Sequence, residues 1–126
     1  MSAWQPIGDV GRVRRDGDVL VLAFTGVQAS VDDVPALLGG VRRAWGADEP
    51  CPILVQSGEV AWTPKDVRDA ITGLIPELFT AAALVVGSPF SRLIMSAFVA
   101  LRPEGPPVRI FNDEEAARAW LVETTS

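Results

Sequence analysis

From Ala81 to Val122 the chain reads as strand, capped helix, strand, capped helix, with almost nothing between. The successive runs are AAALVVG, SPFSRLIMSAFVALR, PPVRIFN and DEEAARAWLV. Short apolar runs closed by turn residues are buried strands, and the longer run after Ser88 has helical length and spacing. Two strands joined by a helix of this size are built as a parallel pair with a crossover. This order alone commits the chain to an α/β sheet flanked by helices.

The upstream residues extend the pattern. Residues 10–15 and 19–25 flank Asp16-Gly17, a dipeptide that tolerates the positive φ of a tight hairpin. A helix follows, opening near Ser30 or Asp33, with Val34, Leu37, Leu38, Val41 and Trp45 as its apolar stripe. Pro35 suits only its first turn, and Gly39-Gly40 weaken its middle. Pro52–Gln56 is a strand, and Thr63-Pro64-Lys65-Asp66 opens the next helix with Thr63 as N-cap. Its stripe is Val67, Ile71, Leu74 and Leu78, and Pro76 is expected to kink or end it. Ala81–Val86 and Val108–Phe111 are core strands. Asn112 stands at capping-box spacing from Glu115 at the start of the closing helix, whose Trp120 should pack near Phe111. The expectation is one domain over residues 1–126, with a mainly parallel sheet, an N-terminal β-hairpin and interleaved helices.

Composition removes several functions. The chain has 126 residues, 48% hydrophobic and 21% charged, a globular balance. Its net charge of −5, with no large cluster of Lys and Arg, argues against a nucleic-acid partner. Arg12, Arg14 and Arg15 beside Asp16 and Asp18 read as a solvated hairpin face. The chain contains 0 histidines, so Ser-His-Asp and Cys-His catalysis and the commonest metal ligand are absent. No metal or cofactor is expected. The single cysteine, Cys51, opens the apolar run CPILV and reads as an inert core thiol. Neither a signal peptide nor a membrane-spanning run is visible, so the expected compartment is the cytoplasm.

Two places invite a ligand or partner. Ser88 and Ser91 at a helix start, with Arg92 one turn in, have the makings of a small anion site, or of a cap beside a solvated arginine. In the helix itself, Phe90, Leu93, Ile94, Ala97, Phe98 and Leu101 form one face that should pack on the sheet. Met95 and Val99 lie on the opposite face near Arg92. A helix apolar on both sides is covered by its own chain, by a second protomer or by an acyl-like ligand. Trp62 and Trp4 are amphipathic aromatics open to core, interface or membrane roles.

The run LVVGSPFSRLIMSAFVALRPEGPPVRIFNDEEAARAWL resembles the C-terminal half of bacterial STAS/SEC14-like (SpoIIAA-like) domains. Phe111, Glu114, Glu115, Ala116, Trp120 and Leu121 fall on its strand ending in Phe, acidic cap and Ala-Trp-Leu helix, and DGDVLVLAFTG fits the first hairpin. The resemblance implies a STAS-like sheet and a non-enzymatic regulatory or ligand-binding role. In the anti-sigma-factor antagonists of this group a Ser or Thr in an Asp-Ser-Ser-Gly-type element is phosphorylated by a partner kinase. Here an ungapped reading puts Thr63, Pro64, Lys65 and Asp66 over that element, with Lys65 at the phosphorylatable position, so the switch is missing. Thr63, and less so Ser57, are the hydroxyls nearest to it. The expected function is a regulatory module acting on a protein partner or as a homodimer. The alternative is a SEC14-like binder of a lipid or other apolar molecule that touches membranes transiently.

Overall fold

The computed structural model describes residues 3–24, 30–57, 65–86, 93 and 105–125. Among these residues six strands lie side by side in the order of the chain: β1 (Gln5–Ile7), β2 (Gly11–Asp16), β3 (Val19–Phe24), β4 (Cys51–Ser57), β5 (Phe79–Val86) and β6 (Val108–Phe111). β1, β2 and β3 pair antiparallel, and β3 to β6 pair parallel. Helices α1 (Asp33–Trp45), α2 (Lys65–Leu78) and α3 (Glu114–Thr125) complete the described elements. The α/β sheet with an opening hairpin and interleaved helices is the architecture that the alternating pattern dictates.

Parallel neighbours in sequence order have a topological consequence. Right-handed crossovers between them send successive helices to the same side of the sheet. α1 and α2 accordingly pack against each other and share one face, where Leu37, Val41 and Leu78 meet Leu20, Leu22, Ile53, Val55, Ala82 and Leu84. α3, which comes after β6, takes the other face. There Ala117 and Leu121 close over Val19, Val21, Leu54, Ala81 and Ala83. The near-continuous apolar runs of β3, β4 and β5 are what a sheet buried on both faces requires.

The hairpin register pairs Asp16 with Val19, which leaves Gly17 and Asp18 as the two turn residues. Gly17 has φ 63° and no other residue type among those described has positive φ, so Gly17 takes the first central position of a II′-like turn. A second glycine is fixed by packing: a Cβ on Gly40 would stand 2.9 Å from Ile7 Cγ1, so α1 rests on β1 only because that position is bare.

Some boundaries differ from the sequence expectation. β1 carries no usable period, being three residues long with Pro6 in the middle, a residue confined to sheet edges. α2 passes through Pro76 to Leu78, since with the helix so near its end the missing hydrogen bond disturbs only the last turn. Val67 and Leu78 of its stripe are buried and Leu74 is half-buried, while the Ile71 side chain is outside the description. β5 begins at Phe79, ahead of the expected Ala81, because Cys51 pairs with Phe79 and Pro52 with Ala81. The extra residue, Thr80, is a bulge that returns Phe79 to the α1 side, and Pro52 needs no ladder donor beside it. The cap of α3 is Asp113 rather than Asn112: its carboxylate accepts from the N–H groups of Glu115 at 3.3 Å and Ala116 at 3.2 Å.

Candidate functional site

The chain leaves the sheet at its carboxyl edge after Phe24, Ser57 and Val86, and α3 begins at the same edge after β6. In open parallel sheets ligands bind outside this rim where the strand order reverses, and the order of the described strands here runs without a reversal. Gln56, next to last in β4, points to the α3 side and its Nε2 donates to Glu114 Oε1 at 3.0 Å. Arg118, one turn along α3, donates from Nη2 to the same oxygen at 3.2 Å and to Asp16 Oδ2 at 2.7 Å. These four half-buried side chains tie the carboxyl rim to the β2–β3 turn. Their donors and acceptors answer one another, so the network braces α3 against the sheet.

Beside it the α3 face changes character. Arg12 and Arg14 are two apart on β2, hence on one side of the sheet. Their guanidinium carbons lie 4.5 Å and 4.8 Å from the centroid of the Trp4 ring. Such stacking holds the charges flat, and the exposed Arg12 keeps an edge able to donate to a planar anion. Arg12 is exposed, and Arg14 and Trp4 are half-buried. Arg15 turns to the opposite face, where its guanidinium stacks 4.0 Å from the Trp45 centroid and donates to the Trp45 carbonyl. The hairpin arginines are therefore not a merely solvated strand face. Each is seated on a tryptophan. On the far flank of α3, Phe111 and Trp120 meet with centroids 5.7 Å apart, as expected, and Arg109 lies 5.3 Å from the Phe111 ring.

Cys51 lies in the core on the α1–α2 side of the sheet, and burial pushes its thiol up from 9.0 to about 12, a rise that the Arg15 charge offsets only in part. A thiol so held stays protonated and is a poor nucleophile. Among the described residues no group of His, Cys, Asp and Glu has the grouping to hold a metal ion. No described helix is long and apolar enough to cross a membrane.

Of the sequence candidates, Ser57 ends β4 at the carboxyl rim. Trp62, Thr63, Ser88, Phe90, Ser91, Arg92, Met95 and Val99 lie outside the described residues. Leu93, expected on the sheet-facing stripe, is instead 68% exposed. It stands at the margin of that stripe by helical spacing, where a side chain faces outward with least loss. The Trp4–Arg12–Arg14 cluster was accessible in part, since alternation puts the two arginines on one side. The tie from Asp16 to Arg118 joins opposite ends of the chain and leaves no local signal.

The sequence model of a domain of unknown function, DUF7793, matches residues 40–125. The chain belongs to the DUF7793 family. The DUF7793 match starts within α1 and runs to the end of α3, taking in β4, β5, β6, Gln56, Glu114 and Arg118. Trp4, Arg12, Arg14 and Asp16 precede it. No curated protein matches the chain. A crystal structure of a protein of unknown function from Arthrobacter sp. FB24 is similar, at 26% identity over 89% of this chain and 92% of that one, with a TM-score of 0.33.

Proposed function

We propose that this DUF7793 domain is a non-enzymatic, STAS-like regulatory module that works through protein contact and has no phosphorylatable Asp-Ser-Ser-Gly element. The observation that carries the reading is the flat cationic–aromatic surface of Trp4, Arg12 and Arg14 beside α3. Tryptophan and arginine are the residue types that dominate binding energy at protein interfaces. The surface stands on a rigid sheet, and the network of Gln56, Glu114, Arg118 and Asp16 fixes the helix next to it. The mainly parallel sheet with interleaved helices is also what a STAS-like domain calls for. In this reading the domain works in the cytoplasm, in keeping with its one free, buried thiol.

The test is mass spectrometry of extracts from the purified, denatured protein, together with partner or self-association of Thr63 variants. The reading expects no stoichiometric apolar molecule. It also expects Thr63→Ala and Thr63→Glu to associate alike, with stability altered by no more than a cap change of ~0.5–2 kcal/mol. A stoichiometric lipid would instead make the domain a SEC14-like carrier. Association retained by one Thr63 variant and lost by the other would restore a phospho-switch.

A further inference from the structure

α3 covers only part of its side of the sheet. It lies over β4, β5 and β6 and reaches β3, while the β1–β2 half of that face ends in Trp4, Arg12 and Arg14. With Ala117 and Leu121 turned to the sheet, helical spacing puts Glu115, Ala119 and Glu123 on one outward ridge, and all three are exposed. Val122 beside that ridge is 53% exposed. Arg118 on the β2 flank is occupied by Asp16 and Glu114. Neither Arg12, Glu115 nor Glu123 has an ion-pair partner among the described residues.

A basic, aromatic shelf and an acidic, small-residue ridge thus sit side by side on one face of one molecule. A two-fold rotation about an axis through that face brings each ridge onto the other copy's shelf. This is the self-complementarity an isologous contact requires. We infer that the α3 face is a homodimer surface, with Arg12 of each copy set against the Glu115–Glu123 ridge of its partner and Trp4 packed near the alanine and valine between those acids. The alanine of the ridge, Ala119, lets the helix approach closely, and the indole supplies the apolar area that a charge pair alone lacks. The inference rests on the reading that the domain acts through protein contact and names a second copy as the partner.

Sedimentation equilibrium of the full chain tests it, with circular dichroism as the check on folding. The wild type should dimerise and should dissociate more readily as salt is raised, since the pairs are at an interface rim. Arg12→Glu and Glu115→Arg should each weaken the dimer by about tenfold, because two-fold symmetry repeats every changed pair. The double variant, with the charges exchanged, should recover most of the loss. The salt series needs no variant and so stands even if a substitution unfolds the protein. A wild type monomeric at the highest attainable concentration overturns the inference, as does a dimer indifferent to salt and to both single changes, or a double variant no better than either single. A monomer free of any apolar molecule defeats the dimer alone and leaves protein contact intact. A monomer carrying a stoichiometric lipid defeats both.

Discussion

Cys51 shows how far burial sets the chemistry of a single side chain. Its neighbours in the core are aliphatic and aromatic, and the nearby Arg15 charge is too far from dominant to keep a thiolate. The consequence for stability has a definite sign. The folded thiol holds its proton up to about 12, whereas the unfolded chain gives it up near 9.0. Between those values the unfolded state binds fewer protons, so stability falls as pH rises. Below that window the contribution is fully present. Urea unfolding at mildly and strongly alkaline pH should therefore show a steeper loss for the wild type than for Cys51→Ala. Equal slopes would mean the thiol is solvated. The arginines make a related point, because an alternating strand sends Arg14 to Trp4 and Arg15 to Trp45, and neighbours in sequence serve opposite layers.

Helix α1 holds two adjacent glycines with opposite reasons to exist. Gly39 faces open space, so Gly39→Ala should gain about 0.5–1 kcal/mol from helix propensity and a stiffer unfolded chain. Gly40 abuts Ile7, a buried β-branched side chain that cannot step aside, so Gly40→Ala should lose about 1–2 kcal/mol despite the same propensity gain. Thermal or urea melts of the pair decide it, and two changes of the same sign would mean that α1 does not rest on β1. This is also the scale at which legibility divides. β6 and α3 are plain in the sequence because an apolar run, an acidic cap and an Ala-Trp-Leu stripe follow in close order. β1 is not, since three residues around a proline carry no period. The Thr80 bulge is hidden as well, because it exists only relative to the register of β4. The same holds for the brace of Gln56, Glu114, Arg118 and Asp16, whose members become neighbours only once the sheet order is known.

Across the whole sheet, protection should follow position. β3 and β4 have a strand on both sides and buried residues on both faces, whereas β1 is a short edge and β6 borders β5 on one side only. Amide hydrogen exchange should therefore be slowest at Leu20, Val21, Ile53 and Leu54 and fastest in Gln5–Ile7. Exchange in β1 as slow as in β4 would contradict the edge assignment. The sequential order of the strands also bears on how such a chain assembles while it is being made. Each new strand finds its neighbour already in place, so every addition pairs with the strand made just before it and no early strand waits for a distant one. The α1–α2 layer is supplied along the way, but Val19, Val21, Leu54, Ala81 and Ala83 have α3 as their cover. Because α3 is made after all the described strands, a nascent chain that has reached β6 but not α3 carries these five residues without their Ala117 and Leu121 cover, and that interval exposes it to aggregation or to capture by a chaperone.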